Sequence, residues 1–439
     1  DNGTSGTNPY WSDSGHGSSH PGIYSDGLFS YDALSNVGTY GGHIWVIEHE
    51  LGHGHQAPIN MAGTTESSNN SLAQCVNLLA KDSPLFQSTR SSRGYGVNGL
   101  VSRFNSGYSW IDYASFRTQD GEDSDLWISN HMIFQLWLYF DYLGNYTPAS
   151  GTNTGFSFMS DLYDALRADP ITKSSSSTNP GLASKDYLLI AKYAAQITQT
   201  DLSEFFQAWG FWETTPTVSV TNDVASTNTW YMGDYGNYYL RTAASYVNSV
   251  KTAMQAYDKK GGNIMFIEDR CIGSTLPTYI GYDPSFFGET GYFGTYSEKI
   301  SKAYDFEVSG TTVTMVDGVG AVGFKIYDAS GNLVYIANTN SFTVSSAIAT
   351  ALQNGTYTIV AAQGDGTDLA MGETSTVVGD VNKDGSVTIA DVTALVNIVL
   401  GKDSGSTPVY DHSAADVNGD GSVTIADVTS LVNKVLGKN

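Results

Sequence analysis

Trp45-Val46-Ile47-Glu48-His49-Glu50-Leu51-Gly52-His53-Gly54-His55-Gln56 is the stretch around which the rest of the chain is read. It contains a His-Glu-x-x-His pattern at positions 49–53, with Ile44, Val46, Ile47 and Leu51 apolar around it. That pattern predicts a helix, and Gly54 is a natural stop for it. On a helix, residues four apart share a face with about 5–6 Å between Cβ atoms. His49 and His53 can therefore grip one metal ion together. Glu50 points nearly the same way and can take a proton from a metal-bound water. These residue types at this spacing are the donor set of a zinc peptidase.

A four-coordinate catalytic zinc takes three protein ligands and one water, so two histidines leave one ligand to find. Glu66 stands near the start of the next predicted helix, from which it can fold back over the first. The competing reading is a carboxylate that merely suits the positive end of a helix dipole. Other candidates fit less well. His55 would face another side of a continuing helix, and position 59 is Ile59, which excludes the HExxHxxGxxH arrangement. His16 and His20, in a Ser/Gly-rich stretch, read as part of a solvated loop.

The chain has 439 residues, 41% hydrophobic and 15% charged, which describes two to four globular domains. A formal charge of −23 argues against a nucleic-acid partner, since a phosphate binder needs a basic surface. It suits solubility outside the cell and calcium-binding carboxylates. No apolar run reaches the ~20 residues that span a bilayer. Cys75 and Cys271 are the only cysteines and, lying in different predicted regions, read as two buried free thiols in preference to the alternative of a disulfide. The chain opens Asp1-Asn2-Gly3 without methionine, as a processed or truncated product of a secreted precursor would.

Residues 90–123 read as irregular. Leu126 to Leu143 is apolar enough for a buried helix closed by Gly144, interrupted by Asn130 and His131, which either pair in the core or face a cleft. His131 or a nearby tyrosine is the nearest candidate for stabilising an oxyanion. A further helix is predicted from Lys185 to Ile197. Asp201-Leu202-Ser203-Glu204 resembles an N-cap with a reciprocal N3 glutamate, opening the short helix Phe205-Phe206-Gln207-Ala208-Trp209-Gly210-Phe211. Arg241–Tyr257 is predicted as helix and Asn263–Glu268 as strand. Thr311–Val316, Val322–Asp328, Leu333–Ile336 and Tyr357–Ala362, with a turn at Ser330-Gly331-Asn332, predict a β-sandwich of roughly 70 residues. A structural spacer is its simplest role.

The C-terminus repeats itself. Asp380-Val-Asn382-Lys-Asp384-Gly385-Ser386-Val-Thr388-Ile-Ala-Asp391 recurs as Asp416-Val-Asn418-Gly-Asp420-Gly421-Ser422-Val-Thr424-Ile-Ala-Asp427. Oxygen donors at loop positions 1, 3, 5 and 12, a glycine at 6 and a backbone carbonyl at 7 make an EF-hand-like calcium site. Each loop brings three carboxylates, so two structural Ca²⁺ ions would offset four of six ligand charges.

Two resemblances follow from these residues. The run His49-Glu50-Leu51-Gly52-His53-Gly54-His55-Gln56, then Glu66 with Asn69-Asn70, then Asp201-Leu202-x-x-Phe205-Phe206-x-x-Trp209-Gly210-Phe211 resembles the M60-like (enhancin) metallopeptidases. The resemblance implies one catalytic zinc held by His49, His53 and Glu66, with Glu50 as general base. It also implies glycoprotein substrates, including O-glycosylated, mucin-type ones. Family members carry a substantial segment before the motif helix, so a catalytic portion with 48 residues before His49 reads as lacking its N-terminal part. The repeats, with aspartate at position 12 and one helix after each loop, resemble a type I dockerin, which implies docking to a cohesin-type partner or onto the protein's own surface.

The expected architecture is therefore multidomain α+β. A mostly helical zincin-like catalytic portion occupies 1–300, a β-sandwich 301–376, and a small all-α calcium-binding domain 377–439. The expected activity is that of a secreted zinc endopeptidase. The alternative from another class is a glycan- or mucin-binding surface protein, or a dockerin-assembled component, with a vestigial peptidase site.

Overall fold

The computed structural model describes residues 57–59, 68–71, 75, 96–110, 124–170, 185–213, 230–231, 237–238, 244–267, 299–373 and most of 378–438. The helical part is organised by the apolar run foreseen above. A helix spans Ser124–Trp137 and continues as a π-helical turn over Leu138–Tyr142, after which Gly144 takes φ +72° and ends it. Met132, Phe134, Leu136, Trp137 and Phe140 are all buried, and residues 131–141 have no solvent face. Helices Ser157–Ala168, Lys185–Thr198 and Ala244–Gln255 share its apolar core, and Lys185–Thr198 packs against both of the others.

Polar residues inside this core have assigned work. Buried Asp141 accepts from the backbone N–H groups of Phe158 (2.8 Å) and Met159 (3.1 Å), placing its carboxylate at the N-terminus of helix Ser157–Ala168. The helix dipole favours an anion there. Burial pushes its carboxyl above the usual range, and those two N–H donors oppose the shift. Buried Gln135 donates to the carbonyls of Met265 (2.9 Å) and Ile267 (3.1 Å) and accepts from Trp209 Nε1 at 3.0 Å. One side chain thus ties three separate segments together.

Two expectations are corrected here. Within 90–123, read as irregular, Gly96–Asn105 is a helix whose Val97 and Leu100 are buried. Asn263–Glu268, read as a strand, includes a 3₁₀ turn over Gly262–Phe266. A third correction concerns Glu204. The short helix runs Ser203–Ala208, and its N-cap residue, Leu202, has no side-chain cap. Asp201 instead accepts from the Ser203 N–H (3.0 Å), while Glu204 reaches across to Lys325 at 2.5 Å.

Residues 305–370 form two antiparallel sheets. One has four strands in the spatial order Asp368–Ala370, Thr358–Ala362, Gly323–Tyr327, Leu333–Ala337. The other has three, Asp305–Ser309, Thr312–Val316 and Ser341–Thr343, in that order. Val313 and Met315 from one sheet meet Phe324, Ile326, Ile359 and Ala361 from the other in a common apolar cluster. An unforeseen helix, Ser346–Gln353, also contributes to it, capped by the Ser345 hydroxyl.

These sheets are joined to the helical part by one continuous core: Val322, Leu333, Ile336 and Ala362 belong to the same apolar cluster as Trp137 and Phe206. One edge of the four-stranded sheet, strand Leu333–Ala337, is met by a side-chain amide. Asn105 Nδ2 donates to the Ile336 carbonyl (2.8 Å) and its Oδ1 accepts from the Ile336 N–H (3.1 Å), as a neighbouring strand would. Asn263 Nδ2 holds the turn that leads into the opposite edge strand, bonding Asp368 Oδ1 at 3.0 Å and the Gln363 carbonyl at 2.9 Å.

Between the edges lies Lys325, whose side chain is 2% exposed, with Glu204 and Asp368 each at 2.5 Å. Tyr327 donates to Glu204 Oε2 at 2.6 Å. Burial and the neighbouring Glu204 carboxylate push that hydroxyl far up, so it remains a donor. Substituting Lys325→Met leaves two carboxylates facing each other without their cation. Removing one partner of a buried pair costs about 3–5 kcal/mol. The carboxylates here keep 27% and 30% exposure, which places the expected loss at the lower end of that range, read from urea unfolding.

Candidate metal centre and calcium loops

The four residues read as the peptidase centre, His49, Glu50, His53 and Glu66, lie outside the described residues. Their sequence neighbours are within them. Ala57–Ile59 forms a 3₁₀ turn that packs on helix Ser157–Ala168, with Ile59 fully buried. Position 59, where another class of zinc peptidase would need histidine, is thus part of the apolar core. Residues 68–71 are helical and buried, and the Cys75 thiol donates to the Ser71 carbonyl at 3.1 Å, a buried free cysteine as expected. Cys271 lies outside the described residues. Tyr163, facing this region, has its hydroxyl pushed up by burial and by proximity to Cys75.

His131 is fully buried, its ring 5.6 Å from that of Phe134. The segment Trp209-Gly210-Phe211 is also interior. Phe211 packs on Trp110, Tyr187 and Phe206 at centroid distances of 4.8, 5.1 and 4.7 Å. Gly210 takes φ +72°, and its carbonyl accepts from the Trp110 N–H at 2.9 Å. The segment is a packing motif that locks the short helix Ser203–Ala208 against residues 109–110.

In the C-terminal repeats the geometry is direct. Asp380, Asp384 and Asp391 bring carboxylate oxygens within 4.8 Å of one another. Asp391, fully buried, accepts from the N–H groups of Asn382 (3.0 Å) and Thr388 (2.8 Å). Asp427 does the same with Asn418 (3.1 Å) and Thr424 (2.8 Å). Each aspartate therefore faces its loop and also completes a capping box with Thr388 or Thr424, opening helices Ile389–Val399 and Ile425–Val435. The capping threonines were not singled out in the sequence, although the Thr-x-x-Asp spacing that reveals them is present in both repeats. Asp380 and Asp416 turn the loops by accepting from the N–H groups of Asp384 and Asp420, both at 3.1 Å. Loop position 4 is left-handed in both repeats, Lys383 at φ 61° and Gly419 at φ 71°. An oxygen-only donor set on a backbone so turned fits calcium.

The repeats carry their own core of Val381, Ala394, Leu395, Ala415, Val428 and Leu431. In so small a domain, ion binding is expected to contribute to folding free energy. Chelation by EGTA is expected to unfold residues 378–436 selectively. Limited proteolysis should then cut within the repeats while the helical and β parts stay intact.

Three sequence families match the chain. Residues 12–210 match the peptidase M60, enhancin and enhancin-like family, 303–370 the peptidase M60 C-terminal domain, and 378–436 the dockerin type I domain. No curated protein matches it. Among solved structures, a metallopeptidase from Bacteroides thetaiotaomicron is similar in fold, with TM-score 0.59 and 23% identity over 80% of this chain and 52% of that one. A metallopeptidase in complex with Tn antigen is similar with TM-score 0.55 and 24% identity, over 75% of this chain and 54% of that one. The chain thus spans about half the length of these structures. No helix among the described residues is long and apolar enough to cross a membrane.

Proposed function

We propose that this chain, which belongs to the peptidase M60, enhancin-like family and ends in a type I dockerin domain, is a secreted or cell-surface zinc endopeptidase of glycoproteins. The observation that carries this reading is the coincidence of one family match, over 12–210, with an intact set of His49, Glu50, His53 and Glu66. The two imidazoles and one carboxylate are a donor set that zinc accepts while keeping a position open. Bound there, zinc supplies a Lewis acid for the scissile carbonyl. Glu50 serves as the base: it takes the proton of the attacking water and delivers it to the leaving amine nitrogen. A vestigial site would have little reason to keep ligands and base together.

A similar fold was solved in complex with Tn antigen, and that supports O-glycosylated, mucin-type segments as the substrate class. The catalytic portion is assigned to 1–300, with the sandwich at 301–376 and the dockerin at 377–439. One Ca²⁺ in each loop, held by Asp380, Asn382, Asp384, Ser386 and Asp391 and by Asp416, Asn418, Asp420, Ser422 and Asp427, holds the dockerin for a cohesin-type partner or the protein's own surface. Mass spectrometry of cleavage products from matched glycosylated and bare peptides tests the substrate class. Cleavage next to the glycosylated residue only is expected. Equal cleavage of both peptides would leave a general protease, and binding without cleavage by a zinc-loaded protein would favour a glycan-binding role.

A further inference from the structure

The two calcium-type loops, 380–391 and 416–427, are identical at every position but the fourth, which is Lys383 in the first and Gly419 in the second. Both residues take the left-handed backbone, at φ 61° and φ 71°. The exchange places a glycine directly after Asn418, whereas the matching Asn382 is followed by lysine. An Asn-Gly pair has a chemistry of its own. With no Cβ beside it, the glycine nitrogen is open to close approach, and it can attack the side-chain carbonyl carbon of the preceding asparagine. A bond then forms between the Gly419 nitrogen and Asn418 Cγ, the Cγ–Nδ2 bond breaks, and the Gly419 amide proton leaves with Nδ2 as ammonia. Water opens the resulting cyclic imide at either carbonyl, giving aspartate or isoaspartate. Water is the only co-reactant, and nothing is oxidised or reduced.

The folded loop holds that reaction back. Asn418 is exposed, so water reaches it, but both atoms of its carboxamide are engaged with Asp420. Its Oδ1 accepts from the Asp420 N–H and its Nδ2 donates to Asp420 Oδ2, each at 2.9 Å. Its own N–H donates to Asp427 Oδ1 at 3.1 Å. Swinging Cγ onto the Gly419 nitrogen breaks the two bonds to Asp420, and these last only while the loop is closed. A cation held by the loop favours the closed form by mass action. We infer that Asn418 is a deamidation site guarded by calcium, so that the second loop ages irreversibly in calcium-poor surroundings while the first does not. The inference rests on the reading of residues 416–427 as a calcium loop. Either product alters that loop. Aspartate adds a further carboxylate to Asp416, Asp420 and Asp427, and isoaspartate routes the backbone through Cβ, lengthening a loop whose turns place every ligand.

The test incubates the full chain at mildly alkaline pH with calcium or with EGTA and reads the conversion of each asparagine by peptide mass spectrometry. In EGTA, Asn418 is expected to convert faster than Asn382. Calcium at about 100 times its Kd lowers the open population of a loop about 100-fold, and conversion of Asn418 should slow by that factor. Asn354, exposed before Gly355 in the β part, is the reference and should convert equally in both conditions. Gly419→Lys, which copies the first loop, is expected to bind calcium and to bring Asn418 down to the rate of Asn382 in EGTA. Should that variant fail to fold, Gly419→Ala, whose Cβ meets nothing within 4 Å, carries the same comparison. Equal conversion of Asn418 with and without calcium, in a protein shown by calorimetry to bind two calcium ions, overturns this inference and spares the calcium reading. Conversion in EGTA no faster than that of Asn382 does the same. Fewer than two bound ions overturns the reading of the paired loops, and this inference with it.

Discussion

Glu50→Ala is expected to lower peptidase turnover by about 10²–10⁴-fold, the usual contribution of a positioned general base, while the protein keeps its zinc. The separation of the two readouts is the point of the experiment. In the proposed centre the ion is gripped by His49, His53 and Glu66, so removing the neighbouring carboxylate takes away a proton acceptor and no ligand. Zinc content should match the unmodified protein, KM should change little, and kcat should carry the loss. His53→Ala is the contrasting variant, expected to lose both metal and activity. Unchanged cleavage by Glu50→Ala would sink the mechanism, whereas loss of zinc would move Glu50 into the ligand set.

Gly210→Ala is expected to destabilise the helical part by about 2–5 kcal/mol, adding the left-handed backbone penalty to that of an overpacked core. A Cβ at this position would sit 2.6 Å from the Trp110 backbone nitrogen and 2.7 Å from Ser109 backbone carbons. Backbone atoms cannot swing aside, and the 2.9 Å hydrogen bond from Trp110 to the Gly210 carbonyl holds the two segments together. Gly144 provides the control. It has the same φ of +72°, yet a Cβ there meets nothing within 4 Å. Gly144→Ala should therefore lose only the ~1–2 kcal/mol of left-handed strain. Denaturant midpoints for both variants isolate the contact term, and equal losses would show that the close approach to Trp110 is not what fixes this glycine.

The parts of the fold that were legible in the sequence are those with a strong period or an obligatory residue. The apolar run before Gly144, the alternating strands from Thr312 onward and the duplicated calcium loops all stand where the sequence places them. Gly96–Asn105 runs against the reading of 90–123 as irregular, which rested on the several Tyr, Gly and Ser residues of that stretch. Its signal was nonetheless present: Val97, Leu100, Val101 and Phe104, at helical spacing, are the residues that meet the core. The Asn263–Glu268 run is apolar without alternation, and such a run does not separate a strand from a short helical turn. Glu204 illustrates a different limit. Its local spacing fits a capping box, but its partner Lys325 is 121 residues away, and a long-range ion pair leaves no local trace. Of the candidate sites, the calcium loops are the more legible because all their proposed ligands fall within twelve consecutive positions. For the peptidase centre the sequence names the donors, and the described neighbours show only that Asn69 is buried with nothing to bond.

The continuous core between the helices and the four-stranded sheet bears on how this protein can be recombined. A gene fusion that transplanted the β part alone would sever the Asn105, Gln207 and Asn263 hydrogen bonds and strip Lys325 of Glu204. The helical part would be left with Phe266 bare where it now lies against Gly323. The calcium repeats, whose apolar cluster is drawn from their own residues, face no such obligation. Inheritance and engineering should therefore treat the helical and β parts as a single cassette, with the repeats as the piece that can be exchanged.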